Sequence, residues 1–498
     1  MTFASVQTRA NIGIQAVPVS VETHISNGLS SLSIVGLPET TVKGSRGRVR
    51  SAIINAQFEF PARRITINLA PADLPKQGGR FDLPIALSIL AASQQIPIHS
   101  LESYEFIGEL GLSGELRPVS GILPFALAAQ KANHSIIIPS ENAQEASLNK
   151  KANILPAKNI LQICAHLHGQ ATLSNYHGTY LQDESRNLPD LSEVHGQVHA
   201  KRALEICAAG RHSLLMIGPP GSGKTMLASR LISLLPLLSD EAALERAAIY
   251  SICGQSIALN AWKFPPFRKP HHTASSIALV GGGNPPRPGE ISLAHHGILF
   301  LDELPEFNRQ ALEALREPLE SGNITISRAA RQTEFPANFQ LIAAMNPCPC
   351  GYFGSLTQTC VCTTQQVQQY RKKLSGPFLD RIDMCIEVNP LSKSYLYQLN
   401  QEENSLTIRK IVKQAQIKQL KNFGKLNHNL NGNNLKIACK LSKKEHKILE
   451  HALEKFQLST RAYYRILRIA RTIADLTESQ QIKISHLMEA LNYRIIKK

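Results

Sequence analysis

Short β-branched apolar runs and stretches of helical spacing alternate through the first third of the chain. Ile12–Val21, Leu32–Val35, Arg64–Leu69, Phe106–Leu110 and Ser135–Ile138 read as strands, and Gly44–Ala56, Leu83–Ala92 and Leu123–Ala132 as helices. This predicts a mixed α/β domain over residues 1–170. Residues 171–189 turn polar, rich in Asn, Ser, Gly and Pro, and are expected to form a linker. Strands and helices alternate again over 190–390. Over 391–498 helical periods dominate, at Leu406–Leu420, Lys443–Phe456, Ala462–Leu476 and Ile484–Ile495, with the Asn-rich segment 422–434 expected as a flexible loop between them. No repeat at a solenoid period is visible.

Length agrees with this division, since 498 residues at about 150 per domain allow three domains. The net charge of +16 is not spread evenly. Lys393 to Lys498 hold 21 Lys and Arg against 8 Asp and Glu, whereas the first 180 residues hold 14 against 11. A basic C-terminal third points to a polyanionic partner, nucleic acid above all; a solvated lysine-rich helical surface is the alternative. No apolar run approaches the roughly 18 residues of a membrane helix, and Met1 to Val6 lack the basic start and apolar core of a signal peptide. Secreted and membrane classes are therefore not expected, and a cytoplasmic location is.

The chemistry begins at Leu214-Leu215-Met216-Ile217, an apolar strand running into Gly218-Pro219-Pro220-Gly221-Ser222-Gly223-Lys224-Thr225-Met226. This G-x-x-x-x-G-K-T loop turns backbone amides toward phosphate oxygens at a helix start; Lys224 reaches the β and γ phosphates and Thr225 ligates Mg²⁺. A second apolar strand, Gly297 to Leu301, ends in Asp302 and Glu303. Asp302 is expected beside the magnesium, and Glu303 is placed to polarise an attacking water. A third strand, Phe339 to Met345, delivers Asn346, whose amide could orient the same water. These residues predict ATP and Mg²⁺ as cofactors.

Immediately beyond Asn346, Cys348, Cys350, Cys360 and Cys362 form C-x-C-x₉-C-x-C. Four thiolates over fifteen positions satisfy a tetrahedral Zn²⁺ site, with an iron–sulfur cluster or four reduced thiols as alternatives. Cys164, Cys207, Cys253, Cys385 and Cys439 lie in apolar surroundings and are expected in the core.

Together with Pro71-Ala72-Asp73-Leu74-Pro75-Lys76, Gly78 to Pro84, Lys269-Pro270-His271-His272-Thr273, Leu301 to Phe307 and Asn346 to Gly351, the chain resembles the AAA+ ATPases. Within them it is most similar to the YifB/ComM family of the magnesium-chelatase-like branch, whose ComM members are competence-associated branch-migration helicases. The resemblance runs nearly full length. It implies a ring, a hexamer, that couples ATP hydrolysis to movement on single-stranded and branched DNA during recombination and natural transformation; other recombination partners are unknown.

It further implies that Arg381, in Phe378 to Asp383, is an arginine finger for the neighbouring subunit, and that Arg461 is the second sensor arginine. Arg465, Arg468 and Arg471 follow at helical spacing and read as surface or DNA-facing charges. An insertion holding Lys269, His271 and His272, and a hairpin holding Arg328 and Arg331, would meet DNA phosphates without regard to sequence. The alternative for the two hairpin arginines is a contact with the next subunit or its ATP.

Gly108 to Gly121 looks like the Lon-protease, ribosomal-S5-like α/β fold, but the serine and lysine positions fall at Arg80 and Leu123. A hydroxyl nucleophile needs its base, so the expectation is a protease fold without the protease. The architecture expected is thus an N-terminal Lon-like α/β domain, a central AAA+ P-loop α/β domain and a C-terminal helical lid. A chelatase motor is the main rival, set apart by the N-terminal domain and the cysteine insertion; an ATP-dependent unfoldase is the other.

Overall fold

The computed structural model describes residues 3–39, 42, 44–178, 188–328, 331–355, 358–390 and 403–494. The chain divides into two units, Met1–Asp183 with Ala243–Trp262, and Glu184–Ala242 with Lys263–Lys498. The expected linker lies partly outside the described residues, at 179–187, as do 391–402, where the helical third was expected to begin.

The first unit is built on seven strands: β1 (Phe3–Ile12), β2 (Gln15–Ser26), β3 (Ser31–Val35), β4 (Arg64–Ala70), β5 (Tyr104–Phe106), β6 (Ser135–Pro139) and β7 (Ile154–Ala157). They pair in the order β3-β4-β2-β1-β5-β6-β7. The run expected as one strand, Ile12–Val21, instead crosses a tight turn, because Gly13 takes a left-handed φ of 56° and sends β2 back along β1. Phe106–Leu110 likewise splits, β5 ending at Phe106 and a separate hairpin starting at Glu109–Leu110. Helix Asp82–Ala92 is buried along its whole length. Its first residue survives burial because Arg48 Nε and Nη2 donate to the Asp82 carboxylate at 2.7 and 3.1 Å, which neutralises the charge and fills its acceptors.

In the second unit β8 (Leu214–Ile217), β9 (Phe267–Arg268), β10 (Ile298–Leu301), β11 (Gln340–Met345) and β12 (Met384–Glu387) form one parallel sheet, ordered β9-β10-β11-β8-β12. The central strands β10 and β11 are buried at every position, as parallel strands covered on both faces must be. β8 lies between strands from later in the chain, so its carboxyl end opens where the connections diverge, the usual place for a ligand in such sheets.

Helices Ser405–Phe423, Lys443–Phe456, Thr460–Leu476 and Ile484–Asn492 follow, and their apolar faces join the same core as β8 and β12. The Asn-rich segment is not the flexible loop expected. Asn427 is 1% exposed, and its amide donates to Thr472 Oγ1 and Asp475 Oδ2. Gly432–Ala438 is helical. No helix among the described residues is long and apolar enough to cross a membrane.

Candidate functional site

The loop between β8 and helix Lys224–Leu234 lines a cavity of about 460 Å³ with Pro220 to Met226, Asp302, Glu303, Met345 and Asn346. Three sequence-distant strand ends thus converge. Register explains it: parallel pairing of β8 with β11, and of β11 with β10, brings Ile217, Met345 and Leu301 to one edge of the sheet. Gly218 N donates to Met345 O at 3.2 Å, fixing the loop to the third strand.

The Lys224 ammonium donates to the Gly218 and Pro219 carbonyls at 2.7 and 2.8 Å and to Asn346 Oδ1 at 3.2 Å. Burial lowers its pKa, while the carboxylates of Asp302 and Glu303 oppose the shift. Thr225 Oγ1 donates to Asp302 Oδ2 at 2.8 Å, so hydroxyl and carboxylate already face the same point, as a shared Mg²⁺ would require. Glu303 holds a left-handed backbone (φ 53°, ψ 46°), a conformation costly for a side chain bearing a Cβ and concentrated at functional sites.

Two residues expected at DNA stand against these carboxylates. Lys269 Nζ is 3.1 Å from Asp302 Oδ2, and His272 Nδ1 is 3.0 Å from Glu303 Oε2. Sequence spacing did not signal this. It follows from the parallel pairing of β9 with β10, which carries the residues after Arg268 alongside the end of β10. His271 is exposed and bonds to Thr273. The insertion beyond it folds into helix Ser276–Val280 and a small hairpin, and Gly281 lies against Ile326 of hairpin Asn323–Arg328/Arg331–Pro336. The two candidate DNA elements are therefore neighbours. The hairpin turn and the side chains of Arg328 and Arg331 lie outside the described residues.

Arg381 and Arg461 are not at the phosphate loop. Both line a second cavity of about 400 Å³, with Arg211, Arg465, Arg468, His428, Glu320 and Asp383 among its walls. Arg381 pairs with Glu320 at 2.6 Å and donates to Pro377 O.

The arginines read as surface or DNA-facing charges are structural instead. Arg465 pairs with buried Asp383 at 2.7 Å, Arg468 Nε donates to Leu430 O, and Arg471 is 5% exposed and grips Asp475 and the carbonyls of Ser479 and Gln480. Helical spacing aligned them on one face; which face packs is a tertiary matter. Asp383, missed in the sequence, also accepts from Ser213 N and Oγ. Although burial works the other way, Arg465 and His212 hold its carboxyl far below the usual range. Its only signal was a carboxylate two residues beyond Arg381.

The four cysteines cluster with their sulfurs within 4.8 Å of one another. Cys348 Sγ lies 3.3 Å from Cys350 Sγ and 3.7 Å from Cys360 Sγ, and Cys350 Sγ lies 3.5 Å from Cys360 Sγ. A tetrahedron with metal–sulfur bonds of about 2.3 Å has edges of about 3.8 Å, so the four sulfurs stand close to the spacing a Zn²⁺ site needs. Backbone N–H groups of Phe353 and Cys350 point at the Cys348 and Cys362 sulfurs, and a hydrogen bond at Tyr352 helps lower Cys350, whereas the neighbouring sulfurs raise Cys360 and Cys362. The other five cysteines are buried or half-buried, and burial raises the thiols of Cys164, Cys385 and Cys439 to about 12.

In the first unit, Arg80 Nη2 donates to Ser120 O at 2.8 Å and Leu123 is fully buried. Lys76 is also fully buried, its ammonium on the Pro71 carbonyl and its pKa lowered by desolvation.

Comparison with known proteins gives this geometry a lineage. Residues 190–396, holding both cavities' strands and the cysteines, match the family model described as "Magnesium chelatase, subunit ChlI". Residues 21–142 match "Subunit ChlI of Mg-chelatase", and 402–494 match "Magnesium chelatase, subunit ChlI C-terminal". Over 502 aligned residues the chain is 51% identical to competence protein ComM of Haemophilus influenzae, covering 99% of this chain and 98% of the relative. It is 50% identical to the uncharacterized protein YifB of Salmonella typhimurium, covering 100% and 98%.

The chain belongs to the magnesium-chelatase-like YifB/ComM family.

A shorter match, 33% over 99 residues, links 20% of the chain to 9% of DNA replication licensing factor MCM2 of rice, Oryza sativa subsp. indica. One expectation is weakened by these findings. The N-terminal region was expected to set the chain apart from a chelatase motor, yet residues 21–142 match a model bearing the chelatase subunit's name.

Proposed function

We propose that this YifB/ComM-family protein is an ATPase that works as a ring, a hexamer in our reading, and converts hydrolysis into movement on DNA. The task would be helicase-driven branch migration in homologous recombination and natural transformation. One observation carries the ring. Among the described residues no arginine lines the phosphate-loop cavity, while Arg381 and Arg461 line another cavity of the same unit. A site that needs a guanidinium to neutralise transition-state charge would then be completed by a neighbouring copy.

In this reading the amides of Gly221 to Thr225 cradle the phosphates, Lys224 leaves the Gly218 and Pro219 carbonyls for the β and γ oxygens, and Glu303 takes the proton of a water oriented by Asn346. Mg²⁺ at Thr225 and Asp302 would supply charge neutralisation at the same oxygens. Lys269 and His272, now on the two carboxylates, stand at the entry to the insertion that would meet DNA; His271 and the Arg328–Arg331 hairpin would extend that contact. Zn²⁺ at the four cysteines would be structural. The first unit would be a Lon-like fold whose positions at Arg80 and Leu123 carry no dyad.

The DNA part is supported by the full-length likeness to a competence protein, the short likeness to a replication licensing factor and the basic C-terminal third. The three chelatase-named matches favour a second reading, a motor for inserting Mg²⁺ into a porphyrin. Purified protein with ATP and a branched DNA substrate separates them, with Glu303→Gln as control. Strand exchange by the wild type alone supports the first reading. ATP turnover with no DNA binding overturns it.

A further inference from the structure

The four-cysteine loop touches the phosphate-binding loop. Gly351, between Cys350 and Cys360, takes a left-handed φ of 88°, and a Cβ built on it would lie 2.5 Å from Pro220 Cδ and 2.8 Å from Pro220 Cγ. Ordinary carbon contacts sit near 3.5–4.0 Å, so the two loops are packed as closely as a glycine permits. The cluster is tied to the same cavity a second time. Cys348 is fully buried two residues after Asn346, whose Oδ1 accepts from Lys224 Nζ at 3.2 Å. Two residues of the phosphate loop, Pro220 and Lys224, thus meet residues in or beside the cysteine loop that a metal there would fix.

We propose that the four-cysteine centre, loaded with Zn²⁺, is a brace that sets the affinity of the phosphate loop for nucleotide, acting through the Gly351–Pro220 contact. This rests on the zinc reading above and goes beyond a merely structural metal. The cation holds Cys348 and Cys350 on one side of the loop and Cys360 and Cys362 on the other; Gly351 between them bears on Pro220, and Asn346 is kept facing Lys224. Removal of the cation frees both supports at once.

Gly354 supplies the control. It lies in the same loop, is equally left-handed at φ 75°, and a Cβ there would meet nothing within 4 Å. Alanine is strained at either left-handed position, but only Gly351→Ala pushes on Pro220. The displacement needed is about 1 Å, an error that can cost on the order of a hundredfold in rate. Full-length wild type, Gly351→Ala and Gly354→Ala are compared for zinc per chain and for the dissociation constant of a fluorescent ATP analogue.

The expected result is one zinc per chain in all three and an affinity roughly tenfold weaker in Gly351→Ala alone, with the wild type weakening likewise after chelation and recovering with added Zn²⁺. Zinc retained with unchanged affinity in Gly351→Ala overturns the brace. Equal losses in both glycine variants overturn it too, since strain rather than contact would then be responsible. Wild-type protein without zinc sinks the metal reading itself, which is distinct from zinc-loaded protein whose affinity ignores chelation.

Discussion

The phosphate-loop cavity and the arginine-lined cavity belong to one unit and are built in opposite ways. The first gathers most of its residues from one nine-residue motif, with the ends of β10 and β11 closing it. The second draws Arg211, Glu320, Arg381, His428 and Arg461 from five separate segments and is held by ion pairs, Arg381 on Glu320 and Arg465 on Asp383. A backbone cradle can be specified locally, because glycines and a helix start suffice. A cationic wall needs the helix Thr460–Leu476 docked on the sheet, so it exists only once the unit has folded.

The sharpest way to break the comparison is Arg381→Ala. If the arginine wall serves a neighbour's phosphates, steady-state ATP turnover should fall by about 10³-fold or more with nucleotide binding kept. Mixing this variant with Lys224→Ala should restore part of the activity, since each would lack a different half. Unchanged turnover, or no rescue in the mixture, would leave the two cavities unrelated. Glu303→Gln comes next, with turnover expected to drop by about 10²–10⁴-fold at unchanged nucleotide affinity; a large affinity loss would mean that Glu303 shapes the cavity instead.

Asp383→Asn tests the framework of the second cavity. Breaking a buried pair costs about 3–5 kcal/mol, to be read from denaturant midpoints. The folded carboxyl lies below its unfolded value, so its contribution is complete above about pH 4 and is lost as pH falls further. The variant should therefore show a flatter acid limb of stability than the wild type. The smallest effect is expected for His272→Ala. Half-exposed pairs of this kind contribute about 0.2–1 kcal/mol, less than about fivefold in any equilibrium. If the insertion meets DNA as proposed, freeing Glu303 from His272 should raise turnover without DNA and shrink any stimulation by DNA; an unaltered ratio would separate the insertion from Glu303.

Much of the first cavity was legible because its chemistry is sequential: Gly218 to Met226 is contiguous, and Asp302, Glu303 and Asn346 each end an apolar strand. The cysteines were legible for the same reason, since their close spacing along the chain is matched by four sulfurs within 4.8 Å of one another. The partners of Lys269 and His272 were not, since they depend on β9 lying parallel to β10. Nor was the fate of Arg465, Arg468 and Arg471, whose spacing is the same whether the helix faces water or core. Asn427 misled in the other direction, as an amide suited to a turn also suits a buried polar junction when Thr472 and Asp475 come to meet it.

By itself, then, the sequence determined the alternation of strands and helices, the phosphate loop, its acidic strand ends and the four-sulfur set, all written in short-range periodicity and spacing. Tertiary structure decided which charges face inward, how two arginines eighty residues apart share one wall, and that Gly351 bears on Pro220. Those outcomes depend on close approach between segments distant along the chain, which burial and packing settle and local pattern does not encode.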